Sequence, residues 1–379
     1  MSPANPSPLT LQPLDAAEEH LLCGRDVEIG AILEYLDAGR FTVLLSPPGF
    51  GASSLLRAGL QPVLLRAGTI VAIAWDWDGG SFAEGLRETV AAAVHDQTGI
   101  PFATKNREPI IELLARARAA TGKPIAILLD QFEEYLRCHA GTDISDAFDA
   151  ELSHAISSRA AQFVIAMHPS AVDEFARFSQ FIPNLLGYTV TLAPLTREAA
   201  VELLRRRGVE SAAAGEIASA PVAAIEGGVN PSFIALAAQS GAAGNANRVI
   251  LTSLDPALDE LRPSERRLLL QWIPVLVTQD GHRIAVSLKG LTDRSSASAN
   301  AVESALAALI RMGLLRHVST RFGVRYLLTR DAIAPILRGW GERMQTIRAM
   351  RRQTYLRAIS VLVGVIALLA AYLVYYSGK

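Results

Sequence analysis

The sequence predicts an α/β fold built on a doubly wound parallel sheet, on three observations. Short apolar runs at 41–45, 69–74, 125–129, 163–167 and 188–192 alternate with stretches whose apolar residues recur at helical spacing. The first run leads through a Gly- and Pro-rich loop, 46–51, directly into a helix-forming stretch. The chain has 379 residues, 50% of them hydrophobic, enough for two or three modules with their own cores.

The elements follow in order. Ile29, Ile32, Leu33 and Leu36 mark a helix that ends at Ala38-Gly39, before the strand 41–45. Helical spacing resumes from Ser53 to Leu60 behind the loop. The run 69–74 precedes a helix over 82–94, and a helix over 110–119 precedes the run 125–129, which ends on Asp130. After Pro194 the strand signals stop, and 197–224 reads as helical and Ala-rich. Helices at 264–276 and 298–312, then two strand-like segments at 314–318 and 324–328 around Phe322-Gly323, predict a winged-helix domain with a two-stranded wing. No internal repeat is visible.

Residues 358–376 carry no charge and, at a rise of about 1.5 Å per residue, reach roughly the thickness of a bilayer core. Tyr372, Tyr375 and Tyr376 at the far end suit an interfacial aromatic belt. Arg343, Arg348, Arg351, Arg352 and Arg357 precede the segment and only Lys379 follows it, so the positive-inside bias predicts one C-terminal transmembrane helix in the cytoplasmic membrane, with the preceding domains in the cytoplasm. Ser360, Gly364, Ala367 and Ala371 form a small-residue stripe suited to self-association. The expected organisation is an arm at 1–13, an α/β domain at 14–194, a helical subdomain at 195–255, a winged-helix domain at 256–340, a basic juxtamembrane segment at 341–357 and the span at 358–376.

Charge and cysteine content narrow the function classes. Lys+Arg 36 against Asp+Glu 37 gives a net charge of −1, without the basic field that draws proteins to nucleic acid. Cys23 and Cys138 stand far apart, with neither a disulfide nor a metal-site spacing, which suits a reduced compartment. The Pro- and Ser-rich start lacks the layout of a signal peptide.

The loop Ser46-Pro-Pro-Gly-Phe-Gly-Ala-Ser-Ser54 is set against the Walker A pattern G-x-x-x-x-G-K-[ST], whose backbone amides cradle phosphate while its lysine reaches the β- and γ-phosphates. Gly49, Gly51, Ser53 and Ser54 keep the turns and the hydroxyl that would meet magnesium; the lysine position is Ala52 and the first glycine is Ser46. Asp130 at a strand end would also meet magnesium, with Glu133 and Glu134 following as candidate groups to orient a water. A helix cap and its solvated first turn is the plainer reading of these acids.

These stretches together resemble the novel STAND NTPases of bacteria, relatives of the AAA-like P-loop signalling ATPases. The resemblance runs over residues 14–340. Cys23-Gly24-Arg25-Asp26 looks like the family's motif against the adenine, and Ser53-Ser-Leu-Leu-Arg-Ala-Gly-Leu60 like its helix after Walker A. The stretch 125–130 with Gln131-Phe-Glu-Glu134 is similar to its Walker B segment. Gly228-Val-Asn-Pro231 resembles the motif that packs on the base, and Leu328-Thr-Arg-Asp331 falls where the winged helix carries a His-Asp pair facing the phosphates.

Three phosphate-facing positions depart from that pattern: Ala52 for the lysine, His168 for an arginine after the fourth strand, and Arg330 for the winged-helix histidine. Losing such groups slows phosphoryl transfer by about a thousandfold or more. The resemblance therefore implies a site that binds ATP or ADP with magnesium without efficient turnover, with Arg330 as a replacement cation. It further implies regulation through oligomerisation or a membrane or cytosolic protein partner, as in bacterial defence or stress circuits. A slow ATP-driven switch and a membrane-bound transcription regulator are the competing readings. Val302, Leu306, Leu309 and Ile310 on the candidate recognition helix look like core, leaving Glu303 and Arg311 as its charges.

Overall fold

The computed structural model describes residues 13–47, 49–77, 82–138, 143–220, 223–225, 227–240, 258–278, 283–295, 297–320, 323–329, 334, 337–347 and 350. The expected arm (except residue 13), Arg330, the charge-free segment 358–376 and its small-residue stripe lie outside them. Among the described residues, no helix is long and apolar enough to cross a membrane.

The first half is a five-stranded sheet of β1 (Phe41–Leu45), β2 (Ile70–Ala74), β3 (Ile125–Leu129), β4 (Gln162–Met167) and β5 (Thr189–Thr191), in the order β2-β3-β4-β1-β5. Every pairing is parallel. Because side chains alternate across a strand, Val43, Ile127 and Ile165 enter one core while Leu44, Leu128 and Val164 enter the other. On the second face lie α1 (Asp26–Gly39) and a continuous helical stretch, α2, made of Ala52–Ser54, a π-helical segment Leu55–Leu60, and Gln61–Arg66. The first face is covered by α3 (Phe82–Thr98), α4 (Ile110–Thr121), α5 (Phe132–Cys138) and α6 (Asp143–Ser157). Trp77, Phe82, Tyr135 and Phe148 pack edge-to-face there, as do Trp77 and Phe132 with centroids 5.2 Å apart, while Phe132 stacks on Tyr135. Helix α5 stands where the acids after Asp130 were weighed as a helix's first turn, and helix α6 was not anticipated.

The second half carries α7 (Arg197–Arg206), α8 (Ser211–Ala218), a short antiparallel ribbon of β6 (Ala224–Ile225) and β7 (Gly228–Val229), and α9 (Pro231–Ser240). The ribbon, with a bridge from Leu195 to Val229, lies where strand signals were expected to stop; two-residue strands are too short to show a period. Beyond them come α10 (Pro263–Leu276), β8 (Val286–Ser287), α11 (Leu288–Asp293), α12 (Ala299–Arg311), β9 (Leu315–Thr320) and β10 (Gly323–Leu328). The antiparallel sheet has the order β8-β10-β9, one strand more than the two-stranded wing expected. The expected division at 255/256 falls outside the described residues. Buried residues on either side of it, from Ala200 and Leu204 to Leu269, Trp272 and Leu309, form one continuous core.

A strap ahead of α1 joins the halves. Its 3-10 helix, Ala16–Leu21, is capped by Asp15 in a reciprocal box with Glu18. Glu19 pairs with Arg66 of α2 at 2.7 Å, Glu18 with Arg207 at 2.9 Å, and Arg206 donates to the His20 carbonyl at 2.6 Å.

Candidate functional site

Because β1, β4 and β3 lie side by side and run in parallel, the residues that leave their C-terminal ends converge on one edge of the sheet, where α/β folds bind ligands. From β1 the chain turns through Gly49 (φ 78°) and Gly51 (φ 94°), conformations that side chains with a Cβ rarely adopt. An added Cβ at Gly51 would meet nothing within 4 Å, so its backbone angle, not space, demands glycine there. The N-terminus of α2 follows at once, the arrangement that presents amides and a positive dipole end to an anion. Ala52 occupies the first helical position. The Ser54 hydroxyl accepts from the Leu14 amide at 3.1 Å, which fastens the strap to the loop.

Asp130 stands on the floor of this edge, only 1% exposed. Burial pushes its carboxyl above the ordinary carboxylate range, against a hydrogen bond from Ser53 and the charge of Arg57. Its Oδ2 has no hydrogen-bond partner among the described residues. A buried oxygen left without a donor, beside a serine hydroxyl, is a hard-oxygen pair that suits a magnesium ion also held by phosphate and water. Among the described residues, no group of three or more His, Cys, Asp or Glu side chains suits a metal, so Ser53 and Asp130 alone would not hold one tightly.

Glu133 and Glu134 lie in the first turn of α5 but are buried, which corrects the expectation that this turn is solvated. The Glu133 carboxyl accepts the His168 amide at 3.2 Å, and burial raises its pKa to about 7. The His168 ring accepts from the Ser170 amide through Nδ1 at 3.1 Å, so Nε2 carries the proton of the neutral ring. The Glu134 carboxylate receives two guanidinium groups from the far half of the chain, Arg283 at 3.0 Å and Arg316 of β9.

The opposite wall comes from the N-terminal motif and α9. Arg25, buried, donates to the carbonyls of Phe50 at 2.8 Å and Ala193 at 2.7 Å and to Glu28 at 2.9 Å, so it shapes the loop from behind. Gly24 (φ 65°) does not line the cavity. A Cβ on it would come within 2.5 Å of the Ala199 Cβ, so its lack of a side chain lets α7 pack against the motif. Pro231 opens α9 on the cavity wall, and the next residue, Ser232, donates to the Gly49 carbonyl at 2.8 Å. Together these groups enclose about 550 Å³, within the range of small-molecule and cofactor sites.

Of the residues singled out from the sequence, Arg25, Gly49, Gly51, Ala52, Ser53, Ser54, Asp130, Glu133, Glu134, His168 and Pro231 border this cavity. Thr329 also borders it; its neighbour Arg330 is outside the described residues. The sequence reading missed Arg57, Ser232, Arg283 and Arg316. Arg57 was discoverable, because it sits one helical turn past Ser53 in the same motif. The two distant arginines had no local signal.

The sequence profile of the family described as novel STAND NTPase 1 matches residues 9–216. No curated protein matches the chain. Among solved structures, the Walker-type ATPase PABY2304 of Pyrococcus abyssi is 18% identical, with 87% of this chain and 99% of that one covered at a TM-score of 0.46. The Aeropyrum pernix ORC1 protein, solved in complex with DNA, is 16% identical over 87% and 94% of the two chains at 0.44. The ORC2 protein of the same organism, in ADPNP-ADP complexes, is 13% identical over 87% and 96% at 0.43.

Proposed function

The chain belongs to the novel STAND NTPase 1 family, and on that premise we propose that it is a membrane-tethered regulatory protein that binds ATP or ADP and signals through self-association or a protein partner rather than through turnover. The observation that carries this reading is Ala52. It stands at the lysine position of a loop whose glycine turns and helix N-terminus are otherwise in place. The backbone of 49–53 would hold the phosphates, Ser53 and Asp130 the magnesium, and Arg25 the shape of the loop. Magnesium, when bound, supplies positive charge to the phosphates. No side chain of the loop adds the charge that phosphoryl transfer needs there.

The second half, read as a helical subdomain and a winged helix, is a packing and sensing element in this proposal rather than a DNA reader. Val302, Leu306 and Leu309 of α12 are buried in its core, and Ile310 packs against it. The charge-free segment 358–376 and the arginines before it support the tether to the cytoplasmic membrane, with defence or stress signalling as the setting.

The purified chain is expected to show no ATP turnover above background. Robust hydrolysis that Asp130→Ala abolishes would overturn the reading. The tether is checked by fractionation: the full chain is expected in the membrane pellet and a chain ending at residue 350 in the supernatant. Equal partitioning of the two removes the membrane from the proposal.

A further inference from the structure

The helix behind the Gly-rich loop carries a cation of its own. Arg57 stands in the π-helical segment of α2, one turn after Ser53. Because the Cα–Cβ bonds of a helix tilt toward its N-terminus, a long side chain there leans back toward the loop. Arg57 borders the cavity together with Ser53, Trp75 and Asp130. Its Nε is buried and has no hydrogen-bond partner among the described residues, and no carboxylate among them forms an ion pair with its guanidinium. Asp15, its neighbour across a small adjoining cleft, accepts the amides of Ala17 and Glu18 instead. The contact that Arg57 does make is with the ring of Trp75, whose centroid lies 5.9 Å from the guanidinium carbon. A ring supplies no acceptor oxygen, so the N–H groups stay available to an anion. Asp130, on the same edge, has the opposite deficiency, a buried oxygen without a donor. An orphaned donor and an orphaned acceptor that border one cavity without pairing suit a group of both signs, with magnesium toward the aspartate and phosphate oxygens toward the arginine.

We propose that Arg57 binds the phosphates of a nucleoside di- or triphosphate in this cavity, reaching them from the helix rather than from the lysine position at Ala52, and that Trp75 positions its guanidinium. The proposal rests on the nucleotide-binding reading above and assigns the charged contact that reading leaves open. A guanidinium matches phosphate oxygens through paired N–H donors and keeps its charge at any physiological pH, whereas the Ala52 methyl offers neither donor nor charge. Trp75 follows β2 and keeps 54% of its surface exposed. Its ring therefore holds the arginine at the rim of the cavity, where the side chain stays hydrated until a phosphate arrives.

The test measures binding of ATP, ADP and adenosine to the full chain by calorimetry with magnesium present. Arg57→Gln, which keeps a polar side chain but removes the charge, is expected to weaken ATP and ADP about tenfold and to leave adenosine unchanged. Arg57→Lys, which keeps the charge, is expected to stay within about threefold of the parent, a rescue that a merely structural arginine would not give. Trp75→Ala, a change at an exposed ring, is expected to weaken ATP and ADP about threefold by loosening Arg57, and it decides the matter where Arg57→Gln does not fold. ATP and ADP affinities indifferent to Arg57→Gln, or to Trp75→Ala in that case, overturn the assignment and leave the nucleotide reading standing. An equal loss for adenosine does the same. Absence of ATP and ADP binding by the parent chain overturns the nucleotide reading and this assignment with it.

Discussion

Replacing Ala52 by lysine is expected to strengthen ATP and ADP binding by about tenfold or more, the worth of one added charge-assisted contact of roughly 1.5–3 kcal/mol. The backbone already has the required form: Gly49 and Gly51 hold their positive φ angles, and α2 begins directly after them. Ala52 is half-buried at the cavity wall, so a lysine has room to extend toward the phosphates without displacing a packed side chain. The gain should vanish for adenosine, which offers the lysine no phosphate. Calorimetric titration of the two proteins with ADP measures it directly, and unchanged affinity for ADP would show that the loop does not cradle phosphate.

Glu133→Gln is expected to stabilise the folded chain at pH 8 and to do little near pH 4.5. Burial is the first cause of the raised pKa, with the neighbouring Glu134 charge adding to it and Arg137 and Arg283 opposing it. A carboxyl that moves from 4.5 unfolded to about 7 folded binds its proton more tightly in the fold. Its contribution is therefore fully present below pH 4.5 and is lost as pH rises through 7. The difference between the two ends is about 3 kcal/mol. Glutamine keeps an acceptor for the His168 amide and never ionises, so the variant should lose that slope. Denaturant midpoints of parent and variant at pH 5 and pH 8 provide the comparison. A parent-to-variant difference that stays constant between the two pH values would mean that Glu133 ionises as freely folded as unfolded.

The parallel sheet was legible because its strands are buried on both faces. The run 125–129 is apolar throughout, and 41–45 is apolar but for Thr42, so they need no partner to be recognised. The loop edge was legible for a different reason: glycines at positive φ, a serine and a strand-ending aspartate leave a fixed local spacing. Helix α6 escaped although its stripe, Phe148, Leu152, Ala155 and Ile156, was in plain sight between acidic residues. Strand β8 spans two residues, and no period can be read from two. The Glu134 contacts lay beyond any local rule. Their partners are 149 and 182 residues away, and only the docking of one half on the other brings them together. The burial of Glu133 and Glu134 has the same origin, since a helix start after a strand is exposed until something covers it.

The strap at 15–21 bears on how the two halves can part. One joint between them is covalent, the backbone from Ala193 to Thr196, which Arg25 grips through the Ala193 carbonyl. The other is noncovalent, Glu18 and the His20 carbonyl on Arg207 and Arg206 at the end of α7. Two joints fix an axis where one would leave a pivot free in every direction. While both hold, separation is confined to a swing about the line through them, and twisting would have to break the second joint. A swing about that line would lift α9 and the C-terminal sheet off the Gly-rich loop and would break the Ser232–Gly49 contact and the two Glu134 contacts.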